Sequence, residues 1–217
     1  SHDQETASRF VIPTDTFVST LGLEGEFNKS AWTVKASAQR SRRSRWECWG
    51  FCDDPNSPTA DRTALRDARD YVRYEATVSK DFFLPLNQKV LATVTGYGGG
   101  DLDRFSQYRF DFFSNRLRGF AGSGIRYNNG VKATAQYAFN IGSVIRFNAT
   151  LDHARVTDRL APGDDGDERF TGFGLSGQTI MGPNLLIQVD WGVAIGSSVA
   201  EYRGDQEIFV TLLRLFR

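Results

Sequence analysis

Residue types that could do covalent or metal chemistry are scarce in this sequence. It contains two histidines, His2 and His153, and two cysteines, Cys48 and Cys52. Nucleophilic catalysis needs a base beside the nucleophile. His2 lies in a polar terminal stretch, and His153 falls on the apolar phase of an alternating segment, next to a polar loop. We therefore predict that the chain is not an enzyme and holds no metal or cofactor.

The two cysteines lie four residues apart in the segment WECWGFCDDPNSP. Two thiols alone do not fill a tetrahedral zinc site, which makes a metal centre the weaker interpretation. In an oxidising compartment, a small loop-closing disulfide is the simplest arrangement and is favoured over free thiols. The sequence therefore predicts a disulfide between Cys48 and Cys52 in a loop over residues 45–70.

Charge and hydropathy exclude two large classes of protein. The 217 residues include 26 basic and 26 acidic side chains, and the formal net charge is zero. The arginines are spread along the chain, so the basic face of a nucleic-acid-binding protein is absent. No apolar run approaches the roughly 20 residues of a membrane-spanning helix. We predict a single domain over residues 1–217, with no nucleic-acid partner.

A period of two dominates the rest of the chain. One example, residues 131–141, alternates apolar side chains with mostly polar ones, and similar runs begin near Trp32, Val72, Ile145 and Leu185. Each run has about 9 to 12 residues, the length of a tilted membrane strand, whereas soluble strands have about 5 to 6. Short connections alternate with long polar ones. This pattern favours an all-β fold, a transmembrane antiparallel β-barrel, over a water-soluble β-sandwich.

The alternation predicts about nine strands, within a range of eight to ten. They lie near residues 15–27, 31–42, 71–83, 88–98, 130–141, 144–156, 169–180, 185–196 and 207–216. Bacterial single-chain barrels have even strand numbers. Three interpretations remain open: a further strand near residues 9–12, two predicted strands that are one, or a chain that is the C-terminal part of a larger barrel.

A long polar connection over residues 98–129 contains the stretch RLRGFAGSGIRYNNG. Its length allows it to fold back into the barrel lumen. A guanidinium buried there requires carboxylate partners, because an unpaired buried charge is costly and arginine offers five donors in a rigid fork. Asp152 and Asp190 lie on the inward phase of two later strands and are the candidate partners.

These residues resemble the BamA/TamA-type family of outer-membrane assembly and translocation proteins, the C-terminal barrel region of the bacterial surface antigen type. That family carries an Arg-Gly-Phe or Arg-Gly-Tyr tip on a loop inside the barrel, and residues 118–120 read Arg-Gly-Phe. Downstream follow Leu-Asp at residues 151–152, Gly-Phe-Gly-Leu at 172–175 and Gln-Val-Asp-Trp at 188–191. The likeness covers roughly Tyr71 to the end of the chain.

The resemblance implies roles for individual residues. Arg118 would pair with Asp152, with Asp190 as the other inward carboxylate, while Gly119 allows a tight tip and Phe120 packs against the wall. Gly172, Gly174 and Leu175 would form the barrel motif of the family. Phe216, in the last strand, would belong to the C-terminal signal by which outer-membrane proteins are delivered for assembly.

The resemblance also implies a function and a location. The chain would be integral to the bacterial outer membrane and would take part in the insertion, assembly or translocation of proteins there. Its partners would be the lipid bilayer with lipopolysaccharide, client outer-membrane proteins, and periplasmic or lipoprotein accessory subunits. The alternative is a plugged, anchoring barrel that carries a separate N-terminal effector and has no assembly activity.

Overall fold

The computed structural model describes most of the chain. It gives the structure of residues 10–11, 17–44, 50–51, 69–103, 105–112, 114–142, 145–158, 167–181 and 185–214. Across these ranges, no helix has the length and apolar character that a membrane crossing requires.

The described residues form thirteen strands and one short 3-10 helix over Ala200–Tyr202. The strands are β1 (Phe10–Val11), β2 (Val18–Lys29), β3 (Trp32–Arg43), β4 (Gly50–Phe51), β5 (Asp70–Leu84), β6 (Gln88–Gly100), β7 (Tyr108–Arg109), β8 (Arg126–Tyr127), β9 (Asn129–Ile141), β10 (Ile145–Thr157), β11 (Asp167–Met181), β12 (Leu185–Ser197) and β13 (Gln206–Arg214).

Nine long strands make one antiparallel sheet. Its order is β2, β3, β5, β6, β9, β10, β11, β12 and β13, so neighbours in space follow one another along the chain. β1 pairs with β4, and β7 with β8, in two separate ribbons. The predicted all-β antiparallel fold is confirmed, and the predicted strands correspond one to one with the strands of this sheet. The largest difference at a strand start is at β2, which begins at Val18 instead of residue 15.

The two faces of the sheet differ as the alternation predicts. One face, the outer face, carries exposed apolar side chains across the sheet, such as Leu23 on β2, Leu151 on β10 and Val210 on β13. The other face, the loop face, carries mostly polar residues. On it, hydroxyl groups of neighbouring strands meet, as in the 3.1 Å contact between Thr77 and Thr95.

Tight hairpins join the strands at one end of the sheet, the turn end. Ser30 and Ala31 between β2 and β3 have φ of 49° and 66°, and Leu86 and Asn87 between β5 and β6 have φ of 60° and 57°. Two successive left-handed residues match the right-handed twist of the flanking strands, as in a type I′ turn. Long connections, including the one from β6 to β9, occupy the opposite end, the loop end.

The hydrophobic core lies between the sheet and its own loop. Residues 101–128, which we call the in-folded loop, connect β6 to β9 and cover the loop face. The loop supplies seven of the twelve residues in the main buried cluster: Leu102, Tyr108, Phe110, Leu117, Phe120, Ile125 and Tyr127. The connection that was predicted to enter the barrel lumen thus lies against the loop face of the sheet in this structure.

Candidate functional site

Three tyrosines hold the base of the in-folded loop. Tyr97 on β6 packs against Tyr108 and Tyr127 of the β7–β8 ribbon, with ring centroids 5.2 and 5.6 Å away. The Tyr108 hydroxyl has the backbone carbonyls of Tyr74 and Gly98 within hydrogen-bond distance, at 2.9 and 3.1 Å, as acceptors for its one hydrogen. Burial raises the pKa of the Tyr108 and Tyr127 hydroxyls above the ordinary tyrosine value. The ribbon is therefore fixed to β5 and β6 by neutral, hydrogen-bonded phenols.

Arg118, at the loop tip, forms an ion pair with Asp152 of β10. Its Nη1 lies 3.0 Å from Oδ2 and 3.2 Å from Oδ1 of that carboxylate, and its backbone N–H donates to Oδ2 at 3.2 Å. The Thr134 hydroxyl of β9 adds a 2.7 Å hydrogen bond. Asp152 is fully buried, whereas the Arg118 side chain keeps 21% of its surface exposed. Hydrogen bonds from Arg118 and Thr134 thus offset the free-energy cost of removing the Asp152 carboxylate from water.

Glycines of β11 make room for this loop tip. A side chain at Gly172 would strike the carbonyl oxygen of Arg118, and a Cβ at Gly174 would lie 2.6 Å from the Arg118 Cγ. Leu175, which follows them, faces the outer side of the sheet and is 47% exposed. The Gly-Phe-Gly pattern therefore forms the floor under Arg118, and Leu175 takes no part in that contact.

The next two loop residues, Gly119 and Phe120, pack against β12 and β11. Gly119 has φ of +81°, and a Cβ there would collide with the backbone of Val193 and Ala194 on β12. Phe120 is 1% exposed, with its ring centroid 5.2 Å from that of Phe170 on β11. Glycine is needed here both for its conformation and because two backbones approach closely.

Asp190 pairs with Arg116 rather than with Arg118. The Nη1 of Arg116 lies 3.3 Å from Asp190 Oδ1, and its Nη2 lies 3.1 Å from Oε1 of Glu207 on β13. The second carboxylate oxygen of Glu207 accepts the backbone N–H of Ala121 at 3.1 Å. Gln188 also donates to Asp190 at 2.7 Å. A second ionic contact thus connects the loop tip to both β12 and β13.

Sequence reasoning missed Arg116 and Glu207. The sequence contains a feature that could have identified each of these two residues. Arg116 lies two residues before Arg118, and Glu207 falls on the loop-face phase of β13, opposite Gly192 on β12. It also missed a third ionic contact at the far side of the loop, where Arg43 of β3 lies 2.6 Å from Asp103 and both side chains are almost fully buried.

Below the loop tip, toward the turn end, a polar cavity of about 490 Å³ opens on the loop face. Amide, hydroxyl and charged side chains line most of it: Arg116, Arg118, Gln136, Arg146, Asn148, Ser176, Gln178, Gln188, Asp190 and Thr211. Its lining contains no histidine or cysteine. Its chemistry is that of a hydrogen-bonding surface.

The remaining predicted residues lie apart from this cavity. His153 is on the outer face, where its Nδ1 is 2.9 Å from the Thr171 hydroxyl. Cys48, Cys52 and Phe216 lie outside the described residues, so the disulfide and the C-terminal signal stay predictions. In the described part of the chain, no three His, Cys, Asp or Glu side chains are grouped as metal ligands would be.

Comparisons with known proteins identify the fold. No protein-family model matches the sequence, and no curated protein matches it. Among solved structures, the chain is similar to CdiB from Acinetobacter baumannii, with a TM-score of 0.63 and 14% sequence identity. This likeness shows a shared antiparallel β-barrel fold. The similarity covers 92% of this chain, which spans about a third (33%) of the CdiB chain.

Proposed function

We propose that this chain is the membrane wall, with its in-folded loop, of a transporter that moves or inserts proteins at the bacterial outer membrane. One observation carries the proposal: a loop pinned by ion pairs across the polar face of a long-stranded sheet whose other face is apolar. A water-soluble sandwich would bury a core between two sheets. Here the apolar face remains uncovered by the described chain, as a lipid-facing wall requires.

The loop tip is held by ion pairs, which are the kind of contact we expect where a loop must leave the sheet during transport. Arg118 with Asp152, and Arg116 with Asp190 and Glu207, hold the tip through charges instead of apolar packing alone. Such pairs are strong where water is excluded and weak in bulk water. Entry of water or of a polar chain beneath the loop therefore lowers the free energy needed to displace the tip.

The cavity lining points to a polypeptide as the transported substrate. An extended peptide carries one donor and one acceptor at nearly every residue, and these groups must be paired when they leave water. Side-chain amides both donate and accept, and Gln136, Asn148, Gln178 and Gln188 present four of them beneath the loop. Binding, displacement of the loop and passage involve no covalent step, so we propose that the chain is not an enzyme.

The finer role we propose is that of the BamA/TamA type. Its partners would be a bilayer with lipopolysaccharide, client outer-membrane proteins, and periplasmic or lipoprotein accessory subunits. A second candidate function is a plugged anchoring barrel, and the burial of seven loop residues in the core favours it. The two functions differ in one property, because only the transporter requires the loop to move.

A reversible covalent lock on the loop distinguishes these functions. The Cβ of Arg118 lies 3.5 Å from the Cβ position of a side chain at Gly174, which is within disulfide range. The variant Arg118→Cys/Gly174→Cys, made in a Cys48→Ser/Cys52→Ser background, would be expressed in its native membrane. A photo-crosslinking amino acid at Gln178 would report a polypeptide in the cavity. Arg118→Cys alone is the matched control, because it loses the ion pair without gaining the lock.

For a transporter, crosslinks to a polypeptide disappear when the lock is oxidised and return when it is reduced, while the single-cysteine control crosslinks under both conditions. Equal crosslinking with the lock open and closed would contradict movement of the loop. Absence of crosslinked polypeptide in the unlocked protein would refute transport and favour the anchoring barrel.

A further inference from the structure

An arginine pair lies at the loop end of the outer face. Arg155 of β10 and Arg169 of β11 are directly opposite each other in the antiparallel register. Both side chains are exposed and lie on the same side of the sheet as Leu151. Like charges directly opposite on neighbouring strands destabilise a sheet unless a counter-charge is present.

One carboxylate serves this pair, and it is engaged by Arg155. Asp167 Oδ2 accepts from the Arg155 Nε at 2.8 Å and also from its Nη2. Thr157 donates to the other oxygen of Asp167 at 2.7 Å. Among the residues that the structure describes, none forms an ion pair or side-chain hydrogen bond with the Arg169 guanidinium. Counting only the residues that the structure describes, the patch therefore carries one excess positive charge.

An apolar strip on the same two strands begins beyond the polar pair His153 and Thr171, which follows the arginines, and continues toward the turn end. Leu151 faces Phe173, and Ala149 faces Leu175. Further along, Phe147 lies opposite Gly177, and its phenyl ring lies 3.5 Å from the point that a Cβ of residue 177 would occupy. A cationic end above an apolar strip is complementary to an anionic head group with an acyl chain.

The spacing along β10 places the arginine pair at a membrane boundary. Ten residue steps separate Ile145, near the turn end, from Arg155. At about 3.3 Å per residue and a strand tilt of about 40°, they span about 25 Å along the barrel axis, the height of the apolar band of an outer-membrane barrel.

A second cluster repeats the arrangement at the loop end of β3 and β5. Arg40 and Arg42, each with a side chain 71% exposed, share the single carboxylate of Asp70 at 2.8 and 3.8 Å. Both clusters thus combine two guanidinium groups with one carboxylate at the same end of the outer face. Because this arrangement of two guanidinium groups and one carboxylate occurs twice, it differs from an isolated surface charge.

We infer that Arg155 and Arg169 bind the phosphate group of a lipid in the leaflet at the loop end of the barrel. The site rests on the proposed location in an outer membrane. A guanidinium is suited to this ligand because its planar fork donates two hydrogen bonds to phosphate oxygens. A phosphate completes the charge balance that Asp167 leaves open, while the acyl chain covers Leu151 and Phe173.

The test measures heat stability of the purified full chain in neutral-detergent micelles titrated with lipid A, which carries phosphate groups. The midpoint of unfolding is read from gel mobility after graded heating. At about a hundredfold excess of lipid over Kd, we expect the midpoint to rise by about 5 to 10 °C. Arg155→Gln/Arg169→Gln should lose most of this rise, and Arg155→Lys/Arg169→Lys should recover part of it. Lys29→Gln, which removes an exposed cation at the turn end of β2, is the matched control and should behave as the unmodified protein.

A rise that persists undiminished in the double glutamine variant would overturn the inference. Inorganic phosphate is titrated separately, and a rise as large as that with lipid A would mean that free phosphate, not a lipid, is the ligand. Flotation with phosphatidylcholine vesicles tests the membrane location by itself. Protein that floats without a lipid A effect refutes only the arginine site, whereas protein that does not float refutes the proposed function.

Discussion

Replacing Arg118 by alanine tests whether its ion pair with Asp152 holds the loop in place. The substitution leaves a fully buried carboxylate without its cationic partner. Removing one member of a buried pair costs about 3 to 5 kcal/mol. The Thr134 hydroxyl and the backbone N–H of residue 118 still donate to Asp152, so we expect the lower end of that range, about 3 kcal/mol.

In a chain of this size, 1 kcal/mol corresponds to about 2 to 4 °C in the unfolding midpoint. Arg118→Ala should therefore lower the midpoint by about 6 to 12 °C when folded and heat-unfolded protein are separated on unheated and graded-heat gels. Asp152→Asn removes the same ion pair but leaves unpaired only the Arg118 guanidinium, whose side chain is 21% exposed, so its effect should be smaller, about 1 to 2 kcal/mol. Arg146→Ala, an exposed arginine of the same face, is the control and should leave the midpoint within about 1 °C.

Direct pairing also predicts how the two changes combine. Once Asp152→Asn has removed the carboxylate charge, Arg118→Ala no longer strands it, so the double variant should be no less stable than Arg118→Ala alone. The reasoning is wrong if Arg118→Ala unfolds at the same temperature as the unmodified protein. It is also wrong if the two single effects simply add, because additivity is the behaviour of independent sites.

Three further predictions follow from other contacts of the loop. Arg116→Ala should destabilise the protein by about 1 to 3 kcal/mol and speed amide hydrogen exchange in β13, because Glu207 loses its cation; unchanged exchange there would contradict the second ionic contact. Gly172→Ala should displace the loop tip and make the loop sensitive to protease, while Gly177→Ala, whose Cβ would meet a phenyl ring at an ordinary 3.5 Å, should not. Because burial raises the pKa of Tyr127, its contribution to stability is present below the ordinary value of about 10 and declines as pH rises above it; the alkaline loss of stability should be smaller in Tyr127→Phe.

The site residues that could be predicted from the sequence are those marked by a short motif or by the strand alternation. Arg118 and Gly119 occur in a tripeptide motif, and Asp152 lies on the polar phase that the alternation had already placed on the loop face. The sequence does not decide which arginine pairs with Asp190, since two arginines of the loop lie two residues apart. The three-dimensional path of the loop decides it, because the tip crosses β11 at Gly172 and directs Arg116 toward β12 and β13.

The amino-acid pattern alone was sufficient to predict the strands, the two faces of the sheet and the in-folded loop. These features depend on a period of two and on chain connectivity, which are local properties. Which charges meet depends on the three-dimensional fold: Arg116 and Glu207 lie 91 residues apart in the sequence, and Arg43 and Asp103 lie 60 residues apart. Such partners have no fixed spacing along the chain. Their meeting is set by the register between strands and by where the loop lies on them, because a charge is stabilised by the carboxylate that is nearest in space.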